Sequence, residues 1–189
     1  MSSISWITTI DPEAANGKLK ELYSVLQKQR GKISNIMAVQ SLHPEAMGAH
    51  LDLYLALMFQ KGGLKRPERE MIAVVVSAIN QCDYCVAHHA AALQFYWKDP
   101  QKLKAFIQDF RAVALSARER AILEYAEKLT RTPGEMTEQD LAPLRHAGLN
   151  DGEILSIAMI TGYFNFVNRI ANGLGVAFSD EEVAGYRYE

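Results

Sequence analysis

Four residues of this sequence have the types and the spacing that thiol chemistry requires. Cys82 and Cys85 are its only cysteines, His89 lies four residues after the second, and Glu70 lies twelve residues before the first. Two cysteines three positions apart can form a disulfide or bind one metal ion. A thiol reacts as the thiolate, and a nearby histidine can accept or stabilise its proton. These residues therefore predict a redox-active thiol site, with zinc binding as an alternative.

A helix that begins near residue 82 would bring three of these side chains onto one face. In a helix over residues 82–97, positions i, i+3 and i+7 place Cys82, Cys85 and His89 together. Unpaired N–H groups and the positive end of the helix dipole then favour a thiolate in the first turn. Cys82 lies closer to the helix start and Cys85 lies closer to His89, so the spacing alone leaves open which cysteine attacks.

The composition is that of an ordinary globular domain. The 189 residues are 49% hydrophobic and 22% charged, and the formal net charge is −2. This charge provides no basic footprint for nucleic acid or an anionic membrane, so we expect neither partner. No signal peptide is visible, and the longest wholly apolar run, Met71–Val76, is too short to cross a bilayer. We expect a cytoplasmic, reducing compartment, where a lone CxxC motif is typically catalytic or metal-binding.

Signals for helix starts recur along the whole chain. They are capping residues and prolines at Asp11-Pro12, Ser34, Pro44, Pro67, Asp99-Pro100, Ser116, Thr137 and Asn150. Apolar residues follow several of them at helical spacing, and no alternating apolar pattern with hairpin turns accompanies them. The sequence therefore predicts an all-α fold without a sheet.

The segment Met71–Val76 is compatible with a strand or a helix, because its residues are apolar and partly β-branched. Pro67 and Glu68 suit a helix start, and Ser77-Ala78-Ile79 extends the run beyond the usual length of a strand. We therefore predict a helix that is buried on all sides. The basic residues of the range 61–69 alternate with two glutamates, and we expect them to form the solvated start of this helix.

The spacing Glu-x11-Cys-x2-Cys-x3-His resembles the active-site pattern of the AhpD-like alkylhydroperoxidase family, within the carboxymuconolactone decarboxylase superfamily. Glu70, Cys82, Cys85 and His89 match all four of its positions. The segment YFNFVNRIANGLG over residues 163–175 is similar to a second motif, FN-x2-NR-x-A-x-GLG, of a peroxidase-related branch. Together the two motifs make the resemblance specific.

The resemblance covers roughly residues 40–178. It implies an all-α, AhpD-like single domain over residues 1–189 that assembles into homo-oligomers. On this basis an N-terminal helical extension of about residues 1–40 and a short C-terminal tail of about residues 179–189 flank the family core.

The resemblance also implies a reaction, the reduction of hydroperoxides by a cysteine pair that cycles between dithiol and disulfide. It assigns Cys85 as the attacking thiolate and Cys82 as the resolving thiol, and it makes Glu70 and His89 the proton relay. The proximity of His89 favours Cys85 as the more reactive thiol. An external dithiol reductant then restores the pair. No motif for haem, flavin or nicotinamide is visible, so no cofactor is expected.

One position departs from the family pattern. Better-known members have a histidine just before the second cysteine, where this sequence has Tyr84. The departure bears on the catalytic rate more than on the type of reaction. The neighbouring His88 could partly substitute for the missing histidine.

Other functions fit the same residues. The CxxC motif could act as a redox-responsive switch in a binding or scaffold protein that turns nothing over. Glu70, Cys82, Cys85 and His89 could bind zinc, although structural zinc sites usually draw their ligands from two separate pairs. A decarboxylase or lactonase of the wider superfamily is disfavoured, because those members generally lack the cysteine pair.

Two predicted apolar helices, at residues 71–79 and 154–171, carry more apolar surface than one small core covers, so we expect homo-oligomers. The candidate interface residues are Phe164, Phe166, Tyr186 and Tyr188. Asn165 and Asn168 need hydrogen-bond partners if they are buried, and Arg169 is expected to pair with a carboxylate.

Overall fold

The computed structural model describes residues 4–186, and this part of the chain is all-α, as predicted. Ten α-helices and three short 3-10 helices alternate with turns, and no strand occurs among the described residues. The α-helices are α1 Gly17–Arg30, α2 Asn35–Ala38, α3 Pro44–Phe59, α4 Arg66–Ile79, α5 Asp83–Trp97, α6 Pro100–Gln108, α7 Ala117–Arg131, α8 Ala142–His146, α9 Asp151–Gly173 and α10 Asp180–Val183. The 3-10 helices are Phe110–Ala112, Pro133–Glu135 and Glu138–Leu141.

Most helices begin where their capping residues predict. Asp99 Oδ1 accepts two backbone N–H groups from the first turn of α6, at 3.1 and 3.0 Å. Ser116 and Glu119 form the predicted capping box at the start of α7. Cys82 is the N-cap residue of α5, so the CxxC motif opens this helix as its spacing predicts.

The helix start predicted at Asp11-Pro12 is wrong. These residues form a turn in which the Ala14 N–H donates to the Asp11 carbonyl at 3.0 Å, and α1 begins only at Gly17. The backbone of Gly17 is left-handed, with a φ of +50°. A right-handed helix begun at Pro12 could not pass through that conformation, so helical spacing starts after it.

Helix α4 is buried on nearly all sides, which confirms the helical interpretation of Met71–Val76. Every residue from Glu68 to Ser77 is buried. The predicted solvated start is confirmed for Lys61 and Lys65, which are exposed, but it is wrong for the three charged residues that follow Pro67. Glu68, Arg69 and Glu70 retain 4%, 2% and 0% of their exposure.

The buried Arg69 is held by backbone rather than by a carboxylate. Its guanidinium donates to the carbonyls of Leu57, Gly62 and Leu64 at 3.0, 2.9 and 3.1 Å. These bonds satisfy the buried cation and tie the loop between α3 and α4 to the first turn of α4. The side chains that flank Arg69 therefore start from a fixed backbone.

The chain divides into two compact units, within Met1–Ala56 plus Arg169–Glu189 and within Leu57–Asn168. The first unit has its own apolar core, formed by Ala15, Leu19, Tyr23, Leu26, Met37, Met47 and Leu51. The second contains α4 to α8, and the four residues predicted to do chemistry all belong to it. The predicted single domain with a helical extension of about residues 1–40 stays a prediction.

Helix α9 is the one helix of the described residues whose length and composition would allow it to cross a membrane. The most apolar 18-residue window has a mean hydropathy of 1.2, and 50% of it is buried within the protein. Core helices of soluble proteins have the same properties, so this resemblance to a membrane span is weak.

A buried histidine gives the first unit a pH-dependent stability. His50 is 5% exposed, and its Nδ1 lies 2.8 and 3.0 Å from the two polar atoms of the Gln40 amide. Burial lowers the pKa of His50 from 6.5 to about 4. The unfolded chain therefore binds a proton between these two pH values that the folded protein excludes.

We predict that unfolding free energy falls as pH drops below 6.5, by about 2 kcal/mol between pH 7 and pH 5 for this group alone. Replacing His50 with Gln should flatten this part of the pH dependence, while replacing the exposed His43 with Gln should not. Urea unfolding at both pH values measures the effect. An unchanged pH dependence in His50→Gln would contradict it.

Candidate active site

The structure brings Glu70 and His89 together across α4 and α5. Glu70 Oε2 lies 2.7 Å from His89 Nδ1, and the two side chains are 0% and 13% exposed. Phe164 of α9 packs edge-on against the imidazole, with ring centroids 4.5 Å apart. One short, sheltered hydrogen bond thus joins two residues that are nineteen positions apart in the sequence.

Arg66 is a further member of the site that the sequence interpretation missed. Its Nε and Nη2 lie 2.7 and 2.5 Å from Glu70 Oε1. The guanidinium carbon of Arg66 lies 3.8 Å from the ring centroid of Phe59, so a cation–π contact also holds the guanidinium in place. The separation of Arg66 and Glu70 by four residues on one helix is the sequence signal that could have found this pair.

The two partners keep Glu70 ionised although it is fully buried. Burial by itself raises the pKa of the Glu70 carboxyl, but the charge and hydrogen bond of His89, followed by those of Arg66, outweigh it and lower the pKa. Each carboxylate oxygen has its own partner. The group therefore accepts hydrogen bonds and holds a proton poorly at neutral pH.

The two thiols lie at the start of α5, and both are free and buried. Cys82 is the N-cap, with non-helical backbone angles φ of −99° and ψ of 87°, and Cys85 lies in the first helical turn. The preceding residue, Gln81, has a left-handed backbone with a φ of 53°. This sharp turn lets the chain leave α4 and begin α5 within a few residues, which is the break that the sequence predicts.

The thiols form a hydrogen-bonded pair in which the two pKa values move apart. The pKa of Cys82 is lowered, first by the hydrogen bond from the Cys85 side chain; burial opposes this effect, while the Cys85 backbone N–H and the Asn168 side chain add to it. The pKa of Cys85 is raised, first by its bond to Cys82 and then by burial. When the pair loses one proton, the negative charge therefore resides on Cys82, and Cys85 keeps its proton.

A network of amides lies beside the thiols. Asn168 is 1% exposed, its Nδ2 donates to Ser77 Oγ at 3.0 Å, and its Oδ1 accepts from Asn80 Nδ2 at 2.9 Å. Asn80 Nδ2 also donates to Asn165 Oδ1 at 3.1 Å. The sequence-based expectation that Asn165 and Asn168 need partners is confirmed. The network orients the side-chain amide of Asn168 towards the two cysteines.

Known proteins share this arrangement of helices. The family model of the carboxymuconolactone decarboxylase family matches residues 44–128. A crystal structure from Ralstonia eutropha JMP134, described as an alkylhydroperoxidase AhpD core and an uncharacterized peroxidase-related protein, is 32% identical to the chain. The alignment covers 97% of this chain and 96% of that one, with a TM-score of 0.88. The chain belongs to the AhpD-like carboxymuconolactone decarboxylase superfamily.

Two more relatives are similar to most of the chain. An uncharacterized peroxidase-related protein from Silicibacter sp. TM1040 is 32% identical over 98% of this chain and 97% of its own, with a TM-score of 0.86. The uncharacterized protein YdfG of Bacillus subtilis strain 168 is 22% identical over 143 residues, which are 76% of this chain and 96% of that protein. The AhpD-like fold thus extends over nearly the whole chain.

The order of the thiol pKa values is the reverse of the one that the proximity of His89 to Cys85 predicts. That expectation made Cys85 the more reactive thiol because of its distance to His89 along the helix. In the structure His89 Nδ1 is hydrogen-bonded to Glu70, the Cys85 thiol and backbone N–H donate to Cys82, and the Asn168 side chain acts on both thiols. The hydrogen bonds of the Cys85 thiol and backbone N–H to Cys82 therefore set the order of the two pKa values, and His89 does not.

Tyr84, which replaces the histidine of the AhpD-like pattern, also has a structural consequence. Tyr84 is buried, and its ring stacks on that of His88 at 4.2 Å with an angle of 27°. His88 Nδ1 lies 2.8 Å from the Tyr84 carbonyl oxygen of the same helix. His88 is thus positioned by Tyr84, and its substitution for the family histidine stays a prediction.

The remaining sequence-predicted residues have different environments. Phe164 is 1% exposed and packs in the core, so its assignment to a subunit interface is wrong. Phe166 is 50% exposed and remains a candidate for a subunit interface. The hydroxyl group of Tyr186 donates a hydrogen bond to Glu182 Oε1 at 3.1 Å. Arg169 is exposed, and its carboxylate partner stays a prediction. Tyr188 lies outside the described residues.

Residues 4–186 contain no group of three or more His, Cys, Asp or Glu side chains arranged to hold a metal ion. Glu70 and His89 are hydrogen-bonded to each other, and the two free thiols form a separate hydrogen-bonded pair. The expectation that the protein binds no zinc stays a prediction.

We predict that Cys82 is alkylated at lower pH than Cys85, because the Cys85 thiol donates to it. Replacing Cys85 with Ala should raise the pKa of Cys82 by removing this donor. The rate of iodoacetamide labelling as a function of pH, read separately for each cysteine by peptide mass, measures both values. In the matched variant Cys82→Ala, burial should keep the pKa of Cys85 above its ordinary value. Labelling of Cys85 at lower pH than Cys82 in the wild type would contradict the order.

Proposed function

We propose that the protein is a thiol-dependent peroxidase that reduces hydroperoxides through a dithiol/disulfide cycle of Cys82 and Cys85. Membership of the AhpD-like superfamily and the similarity to two peroxidase-related proteins support a role in antioxidant chemistry. The observation that carries the finer proposal is the pairing of Glu70 with His89 on the two helices that flank the CxxC turn.

The proposed reaction begins with the loss of one proton from the thiol pair to His89 Nε2. The pair then shares its remaining proton, and movement of that proton from Cys85 to Cys82 transfers the negative charge to Cys85. The Cys85 thiolate attacks the distal oxygen of the hydroperoxide, the O–O bond breaks, and the products are a sulfenic acid and an alkoxide. The imidazolium of His89 returns its proton to the alkoxide, which leaves as the alcohol.

The second half of the proposed cycle restores the dithiol. The Cys82 thiol condenses with the sulfenic acid of Cys85, which releases water and forms the disulfide. An external dithiol then attacks the disulfide and leaves as its own disulfide, so two electrons pass from the reductant to the peroxide. We propose a protein or small-molecule dithiol of the cytoplasm for this role.

We predict that the protein consumes an organic hydroperoxide catalytically in the presence of dithiothreitol. Cys85→Ser should abolish the activity, and Cys82→Ser should allow one oxidation before it stalls without added thiol. His89→Ala and Glu70→Gln should each slow the reaction by about 10² to 10⁴, the usual range for losing general acid–base help. Peroxide consumption and the mass of each variant after one equivalent of peroxide provide the measurements.

The same experiment tests the alternative of a redox-responsive switch. Both thiols are buried, at 0% and 2% exposure, and a slow, stoichiometric response to peroxide would suit such burial. A switch would form the Cys82–Cys85 disulfide once and show no turnover with excess dithiothreitol. Full peroxide turnover by Cys85→Ser would contradict both the peroxidase cycle and the redox switch.

We also propose that the protein forms homo-oligomers through one face of α9. Leu155, Met159 and Phe166 are 59%, 44% and 50% exposed, and Gly162 lies between them in open space. Their spacing of four, three and four residues places them on one stripe of the helix. A second copy of the same helix could pack its stripe against this one, with Gly162 allowing close approach of the backbones.

We predict that light scattering reports a multiple of the chain mass of 21.1 kDa. Leu155→Glu should shift the protein towards the monomer, because it places a charge in the apolar contact. Leu42→Glu is the matched control, since Leu42 is 50% exposed and lies outside this face. A wild-type monomer at micromolar concentration, or equal effects of both substitutions, would refute the proposed interface.

A further inference from the structure

We propose that Arg66 is a positioning residue of the relay, which keeps Glu70 a carboxylate and thereby keeps the proton of neutral His89 on Nδ1 and the lone pair on Nε2. An ionised carboxylate can only accept hydrogen bonds, so the nitrogen 2.7 Å from Glu70 Oε2 must be the one that carries hydrogen. The other nitrogen is then the one that can exchange protons with the thiol pair and the leaving alkoxide. The catalytic use of Nε2 rests on the proposed function, whereas the effect of Arg66 on it does not.

The Arg66 guanidinium bonds Glu70 and also contacts an aromatic ring. Two of its nitrogens converge on the single oxygen Glu70 Oε1, at 2.7 and 2.5 Å, while the other oxygen is left to His89. The side chain is 14% exposed, and its guanidinium lies 3.8 Å from the Phe59 ring centroid. Charged bonds of this length in a sheltered site are stronger than those at a solvated surface.

A permanent cation is what this carboxylate requires. In the proposed cycle His89 alternates between imidazole and imidazolium, so its charge supports Glu70 only part of the time. Arginine remains protonated throughout. Without it, a fully buried carboxyl beside a neutral imidazole would tend to take up a proton, because burial disfavours the charged form.

The other charged groups around α4 are committed elsewhere. Arg118 of α7 bonds Glu68 Oε1 at 2.8 Å and Glu153 Oε1 at 2.7 Å. Arg69 bonds backbone carbonyls, and the contribution of α9 next to His89 is the apolar ring of Phe164. The charges that act on Glu70 are thus those of His89 and Arg66.

The test is the protonation of His89 Nε2, followed by the ¹⁵N shift of the ring as a function of pH. In Arg66→Met the Glu70–His89 pair should take up its proton at a pH about one unit higher than in the wild type, since one opposite charge has been removed. Whether that proton resides formally on Glu70 or on His89, Nε2 becomes protonated. The acidic limb of the pH–rate profile for peroxide reduction should move upward by the same amount.

Two variants separate this role from a purely structural one. Arg66→Lys retains the charge and should keep the wild-type titration of Nε2. Arg131→Met removes another arginine–glutamate pair with a spacing of four residues, Arg131 Nε to Glu127 Oε1 at 3.1 Å on the more exposed face of α7, and should leave the titration unchanged. If Arg66→Met does not fold, Arg66→Gln, which retains an N–H donor without the charge, should show the same upward shift.

A wild-type titration of Nε2 in the uncharged Arg66 variants would overturn the inference, as would an equal shift in Arg66→Lys. These outcomes differ from failure of the proposed function, because the titration requires no peroxide. A wild-type protein that consumes no hydroperoxide but shows the shift would disprove the peroxidase and support the role of Arg66.

Discussion

The burial of three consecutive charged residues at the start of α4 is the constraint on which the site depends. Glu68, Arg69 and Glu70 retain at most 4% exposure, and an isolated buried charge would destabilise the fold by several kcal/mol. Each is therefore satisfied by a different part of the second unit. Arg118 of α7 bonds Glu68, carbonyls around the α3–α4 loop accept from Arg69, and His89 of α5 bonds Glu70. One helical turn thus fixes the positions of its neighbours.

This arrangement determines where the thiols lie. Helices α4 and α5 are joined by a short turn through Gln81, and the Cys82 N–H donates to the Ser77 carbonyl at 2.9 Å. The bond of Glu70 to His89 joins the same two helices again, from the second turn of α4 to the second turn of α5. Because both ends of the contact are fixed, the CxxC turn and the imidazole retain a defined relation, as a proton relay requires.

The parts of this structure that could be predicted from sequence depend on local patterns. Caps and prolines place most helix starts, and the spacing of Cys82, Cys85 and His89 places them on α5. The parts that could not be predicted depend on distant partners. The charges at 68–70 look solvated until Arg118, fifty residues away, is in place. The acidity of Cys82 depends on Asn168, whose amide is itself oriented by Ser77, ninety-one residues away. Periodic patterns in the sequence report neighbours on the same helix and therefore do not reveal these contacts between distant residues.

The two negative charges of the site are stabilised by opposite means, and the difference fits their proposed roles. Glu70 faces a formal cation, Arg66, and its charge must persist through the whole cycle. The thiolate is stabilised by neutral donors, a thiol, a backbone N–H and an amide. Its charge must disappear when the disulfide forms, and neutral dipoles lose little when it does. A fixed cation beside the sulfur would lower its pKa further, but thiolates of lower pKa are weaker nucleophiles. Arg66 accordingly bonds the Glu70 carboxylate, where a permanent positive charge is useful throughout the cycle. The thiolate, stabilised by neutral donors, keeps its nucleophilicity.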